Sequence, residues 1–244
     1  MSTFLRRTRR CLLVIPFAAL LFAACESSSS PGPGPGPGPG PGGVGPSLGS
    51  AQTYGLLAGT AVSCVGPVGT ISANVGVSPG SAITGFPTCT VSGTQHIADA
   101  TAATAQGDLT TAYNALAGKA CGTIISADLG GTTLAPGVYC SASSVGLTGT
   151  VTLDGQGNSS AVFVIQAGSA LLITGSVNLI GSAQAKNVYW QIGSSATLAT
   201  GSAMKGNMLA LTSITLNDNA TLLGRALARN GGVTLGSNNT ISLP

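Results

Sequence analysis

Charged side chains make up only 6% of the 244 residues, and this scarcity decides which chemistry is open. Glu26 is the sole glutamate, and Asp99, Asp108, Asp128, Asp154 and Asp218 are scattered singly. Paired carboxylates for acid–base or glycosidic chemistry are missing. One histidine, His96, cannot build a triad, has no partner at metal-ligand spacing, and stands beside no Cys-x-x-Cys pair. Phosphate-binding glycine loops and calcium-binding repeats are also missing. The expectation is a protein that is not an enzyme and carries neither metal nor cofactor. What the chain does repeat is a hydroxyl phrase. It reads Thr150-Val151-Thr152-Leu153, Ser195-Ala196-Thr197-Leu198, Ser213-Ile214-Thr215-Leu216 and Gly232-Val233-Thr234-Leu235.

The central threonines stand at 152, 197, 215 and 234, so the last two steps are 18 and 19 residues. The first step of 45 leaves room for a degenerate copy at Ser169-Ala170-Leu171-Leu172. A period near twenty, rich in β-branched residues and glycine, marks a solenoid coil. Strand alternation puts Val151, Leu153, Ile214 and Leu216 inside and the hydroxyls outside. Stacked coils would then carry a ladder of Thr and Ser.

A second set of segments is nearly continuously apolar: 162–165, 188–192 (broken only by Gln191), 208–211 and 226–228. Such runs predict strands buried on both faces. Their cover is a helix over about 94–117, where Ile97, Leu109, Tyr113 and Leu116 share a stripe and Gly118 ends the pattern. Asp99 near its start and Lys119 at its end suit the macrodipole. His96 reads as a solvated or capping residue of the first turn.

Residues 1–25 read as a targeting segment. Arg6, Arg7, Arg9 and Arg10 precede an apolar run that ends in Ala23-Ala24-Cys25. The stretch resembles a bacterial lipoprotein signal, which implies lipid on Cys25 and membrane contact through that lipid only. An ordinary cleaved signal or an uncleaved anchor are the alternatives. Residues 26–47 are a tether of serines and Pro-Gly pairs that buries no core and spans about 3 Å per residue where extended. The protein is thus expected to be exported, held at the cell envelope or secreted.

Without the signal, five basic and six acidic side chains remain, so the formal +3 of the whole chain becomes −1. No basic patch exists for nucleic acid. Cys64, Cys89, Cys121 and Cys140 are an even set in an exported chain, which predicts two disulfides. Spacing leaves three pairings open. The preferred one is Cys64–Cys89 with Cys121–Cys140, each closing a local excursion.

Residues 48–244 resemble the microbial ice-binding (antifreeze) protein family. The segments that carry the likeness are Leu57-Ala58-Gly59, Gly76-Val77-Ser78-Pro79-Gly80, Ile83-Thr84-Gly85-Phe86-Pro87, Asp108 to Tyr113, Leu129-Gly130-Gly131, Pro136-Gly137-Val138-Tyr139, Val188-Tyr189-Trp190-Gln191 and Gly224 to Ala228. The resemblance implies a mainly β fold: a discontinuous parallel β-solenoid of triangular section with one long helix alongside. It also implies a flat ice-binding face bearing a Thr-Ala/Gly-x-Thr/Asn motif. Thr60-Ala61-Val62-Ser63 approximates that motif, Thr212-Ser213-Ile214-Thr215 has Ser in second place, and Gly231-Gly232-Val233-Thr234 lacks the first Thr. The expected ice contacts are therefore Thr60, Ser63, Thr150, Thr152, Ser195, Thr197, Ser213, Thr215 and Thr234, in two parallel files on one uncovered sheet. The partner that the resemblance implies is the surface of an ice crystal, and the protein is expected to act as a monomer. The competing expectation is a tethered adhesion module for a polysaccharide or another cell, which would display Trp190 and Tyr189 in an open groove.

Overall fold

The computed structural model describes residues 45–244 apart from 68 and 87. Cys25, the signal segment and the tether through residue 44 lie outside the described residues. Among the described residues no helix is long and apolar enough to cross a membrane.

Each coil makes three strands, and successive coils stack in parallel to build three faces. Face A carries Tyr54–Ala58, Asn74–Val77, Gln95–Ile97, Thr123–Ile124, Gly137–Ser141, Phe163–Ala167 and Val188–Ile192. Face B is a seven-stranded sheet in the order Val145–Leu147, Leu171–Ile173, Ala196–Leu198, Ile214–Leu216, Val233–Leu235, Ala61–Cys64, Ala82–Thr84. Face C carries Thr133–Leu134, Thr150–Asp154, Ser176–Ile180, Thr240–Ser242, Gly69–Ser72 and Cys89–Val91. The long strands Ala203–Ala210 and Thr221–Ala228 begin on face C and turn onto face A. They turn at stacked glycines: Gly206 has φ +112°, and a Cβ there would meet Val188 at 2.8 Å.

The stacking order is not the chain order. On face B the first strand of the chain pairs with the last, Val62 opposite Val233, and Ala82–Thr84 follows it. On face A Leu56 pairs with Ala226 in the same way. The two N-terminal coils therefore extend the stack beyond the C-terminal coil, as the discontinuous architecture requires.

Alternation fills the interior. Val62, Val233, Ile214, Ala196, Leu171 and Val145 form one buried file, and Ile71, Ile241, Leu222, Met204, Val177 and Val151 form another from face C. Identical apolar positions stack because each coil repeats the same inward pattern, and every buried Val or Leu contributes about 1.5–3 kcal/mol.

Between its two edge strands face A is buried on both sides, as its nearly continuous apolar runs predict. Its outward Leu57, Val164, Tyr189, Leu209 and Leu227 meet Ala105, Leu109, Ala112 and Leu116 of the helix α1, Ala100–Ala117. Gln166 Nε2 donates to the carbonyls of Leu116 and Lys119 at 2.6 and 3.1 Å, which satisfies groups the helix end leaves open. The helix starts six residues later than its sequence pattern suggested. Gln95–Ile97 pair with Asn74–Val77 instead, so Ile97 belongs to a strand and is 45% exposed. The open edge of face A offers those residues ladder hydrogen bonds that an isolated first helical turn cannot match. Ala98 turns the chain at φ +50°, and Asp99 is the N-cap, accepting from Ala102 N at 2.8 Å. His96 is therefore a strand residue that reaches Asp99 at 2.8 Å, outside the helix.

The disulfides are Cys64–Cys89 and Cys121–Cys140, with Cα separations of 6.3 and 5.8 Å. Cys89 lies in the edge strand of face C, and Cys121 immediately precedes the edge strand Thr123–Ile124 of face A, so each bridge ties an end of the stack to the coil next to it.

Candidate functional site

Face B is built by three- and four-residue strands whose pairing runs without a bulge. The outward middle position reads Gly146, Leu172, Thr197, Thr215, Thr234, Ser63, Thr84 along the stack. Beside it runs a file of small residues that includes Ser195, Ser213, Gly232, Ala61 and Ala82. Ser195 Oγ accepts from Ser213 N, and Ser213 Oγ from Gly232 N, both at 3.3 Å. Thr84 Oγ1 donates to Ser63 Oγ at 3.1 Å. These bonds run from coil to coil and lock the hydroxyls to the repeat of the sheet. Thr60 is exposed in the bend just ahead of Ala61, at the corner of faces A and B. None of the seven strands carries a charged residue.

Thr60, Ser63, Ser195, Thr197, Ser213, Thr215 and Thr234 are thus brought to one side of the prism. Thr150 and Thr152 are not. Their strand pairs with Ser176–Ile180 and Thr133–Leu134 on face C, so the expected single array is two arrays on different sheets. The reason is that Thr-Val-Thr-Leu satisfies the same in-and-out alternation on any uncovered face, and a three-sided coil has two of them. The degenerate copy is also corrected by one residue: Leu172, not Leu171, stands opposite Thr197. The slip matters because one residue of register exchanges inside for outside. Leu171 is buried and Leu172 is 49% exposed.

Thr84 was missed. Ser81-Ala82-Ile83-Thr84 carries a similar phrase, but the surrounding Pro79, Gly80, Gly85 and Pro87 are turn-forming residues that mask a three-residue strand. Face C has a phrase of its own, Thr-apolar-Ser, in Thr70-Ile71-Ser72 and Thr240-Ile241-Ser242. Comparing these two segments would have revealed it.

The acidic side chains are engaged in a coil corner and on the helix. Asp128 accepts from Thr148 Oγ1, from Thr148 N at 3.0 Å and from Gly130 N at 2.8 Å. Asp108 accepts from the hydroxyl and the amide of Ser50, each at 2.7 Å. Hydrogen bonds from Thr148, from Ser50 and, for Asp99, from the Ala102 amide hold these three carboxyls below their ordinary value of 3.8. A depressed carboxylate contributes stability that is fully present above 3.8 and is lost as pH falls through its lower folded value. Melting temperature is therefore expected to be flat across neutral pH and to drop in acid below 3.8. Because the face B strands hold no titratable group, activity of that face should not change over the range where melting is flat; a pH-dependent activity there would place the site elsewhere.

Among the described residues no cluster of His, Cys, Asp and Glu could hold a metal ion. Trp190 and Tyr189, whose exposure would have favoured sugar binding, are buried, and Trp190 Nε1 donates to Lys205 O at 3.0 Å.

A discontinuous three-sided solenoid with a helix along one face and a charge-free hydroxyl file along another defines a class. The ice-binding-like family matches residues 56–242, and this chain belongs to it. An ice-binding protein of Nostoc sp. (strain HG1) is 48% identical over 194 residues, which cover 78% of this chain and 72% of the relative. Among solved structures, an ice-binding protein from an Antarctic biological consortium shares 46% identity and superposes with a TM-score of 0.81, covering 83% of this chain and 93% of the other. The ice-binding protein of the Antarctic ascomycete Antarctomyces psychrotrophicus shares 37% identity with a TM-score of 0.78, covering 82% and 99%.

Proposed function

We propose that this protein binds ice through face B, with Thr197, Thr215, Thr234, Ser63 and Thr84 as the principal contacts and Thr60, Ser195 and Ser213 at its margin. One observation carries the reading: seven strands in unbroken register carry no charge, and five consecutive ones present the hydroxyls of Thr197, Thr215, Thr234, Ser63 and Thr84. Hydrogen-bonded strands set the repeat along the stack at about 4.8 Å, and outward residues along a strand lie about 7 Å apart. At such a spacing each hydroxyl anchors a water while the neighbouring methyl denies it a bulk-like second shell. The first water layer then takes the order of the lattice it joins. A lysine or carboxylate would hold water in an ionic geometry instead. The sheet is stiff because its inward file is close-packed.

Adsorption at this face accounts for thermal hysteresis or inhibition of recrystallisation. The decisive measurement is partition of the mature protein into a slowly growing ice hemisphere, with microscopy of crystal shape in its presence. Exclusion from ice together with unfaceted crystals would end the proposal. The protein acts as a monomer, and lipid on Cys25 with the Pro-Gly tether places it at the cell envelope. Cys25→Ser should move the protein from membranes to the soluble fraction. A wild-type protein without lipid by mass spectrometry would end the anchoring idea alone.

A further inference from the structure

Face C carries an ordered array as well, and it meets face B along one edge. At the end of the stack formed by the last two and first two coils, its outward file reads Thr221, Thr240, Thr70, Thr90 in consecutive register. All four are exposed. Ser242 and Ser72 stand two residues further along the two central strands, outward again. The run stops at the next coil, where Ala203 replaces threonine and Lys205 stands in the second file. Face A shows that threonine is not the default outward residue of this solenoid, since its equivalent positions are Leu, Val and Tyr.

The same four coils carry the contiguous part of face B. Thr215 and Thr221 belong to one coil, Thr234 and Thr240 to the next. Ser63 and Thr70, then Thr84 and Thr90, continue the series. The corner between the two faces is itself stacked. Asn238 Nδ2 donates to Asn219 Oδ1 at 3.3 Å, and Ser237 N donates to Asp218 Oδ1 at 2.7 Å.

We infer that face C over these four coils is a second ice-contacting surface, so that the protein engages two differently oriented ice planes that share one edge. The inference rests on face B being an ice site. Its occupant is ordered water, for three reasons on the molecule: the strands stack in the same parallel ladder as those of face B, no charged residue interrupts the four coils on either file, and the array is carried by the same coils as the hydroxyl file of face B. A protein partner would find no apolar anchor there beyond Leu223, which is 37% exposed.

The test uses full-length mature protein labelled with a fluorophore, adsorbed to a single-crystal ice hemisphere, with hysteresis measured in parallel. Thr240→Tyr and, as an independent substitution, Thr70→Tyr are compared with Thr234→Tyr, each checked for an unchanged circular dichroism spectrum. The expected result is that Thr240→Tyr and Thr70→Tyr each erase one set of labelled planes, keep the rest, and lower hysteresis by about two-fold, as for the loss of one of two linked contacts. Thr234→Tyr should erase the complementary set. If both face C variants label the same planes as wild type with full hysteresis, the second surface is refuted while face B stands. If Thr234→Tyr changes nothing and Thr240→Tyr abolishes all adsorption, the assignment of face B is what fails. No adsorption by wild type overturns both.

Discussion

Thr215→Tyr and Thr234→Tyr each abolish most of the thermal hysteresis while leaving the fold intact. These two positions are adjacent at the middle of the face B stack, with three strands on one side and two on the other. A tyrosine ring projects well beyond the hydroxyl it replaces, out of the plane that the neighbouring threonines share. A flat crystal surface resting on that ring loses contact with the coils on both sides, so the effect reaches well past one residue. A protrusion at the centre of a rigid interface is expected to lower activity on the order of ten-fold. Stability should move by no more than about 0.5 kcal/mol, because the inward neighbours Ile214 and Val233 are untouched. Ala103→Tyr on the exposed side of α1 is the control, since that surface lies over face A. Hysteresis, circular dichroism and melting curves for the three variants decide it. Full activity in both threonine variants would remove face B from the mechanism.

Arg225→Met has the second large effect, on stability alone. Arg225 is 9% exposed, and burial draws its guanidinium below the usual arginine value. Its Nε and Nη2 donate to Gln52 O at 2.8 and 2.6 Å, and its Nη1 donates to Asn207 Oδ1 at 2.7 Å. Asn207 Nδ2 in turn reaches the carbonyls of Lys186 and Val188 at 3.0 and 3.1 Å. One side chain thus ties the segment before the first strand to three later coils. Methionine fills a similar volume but leaves a buried amide and a carbonyl without donors, at about 1–3 kcal/mol each. A loss of about 2–6 kcal/mol follows, and with it a lower melting temperature, while hysteresis near the freezing point is retained. A melting temperature within a degree of wild type would mean that water replaces the guanidinium without cost.

The sequence made the solenoid, its helix cover and the local disulfides legible because each leaves a periodic or pairwise trace. Val188 to Ile192 reads as buried on both faces, and its strand is. The site was only partly legible, and Thr150 shows why. Its phrase has the alternation of Ser213 to Leu216, yet the coil corners turn it onto face C, where it pairs with Ser176. Which side of a prism a strand occupies is set by corner length and by stacking partners up to 171 residues away, neither of which alternation encodes. Leu172 was misaligned for a related reason: without its threonine the phrase has no marker to fix register. Ile97 continued the helical stripe only because the ladder waiting for it at the edge of face A is a long-range feature.

The stacking of the first coils upon the last has a consequence for how the chain reaches its native state. Leu56 pairs with Ala226, 170 residues later, and Val62 with Val233. During synthesis the opening coils emerge without the partner on which they stack, and the interior file they complete does not exist until the final strands are made. Closing such distant contacts slows folding. The helix leaves the N-terminal coils at Ala98 and the chain re-enters at the opposite end near Cys121, so Ala100–Ala117 spans the stack as its return path. The same geometry makes Pro244 a spatial predecessor of Tyr54: a permuted chain that joins these ends and opens after Gly118 would lay its coils down in order, each finding its neighbour already in place.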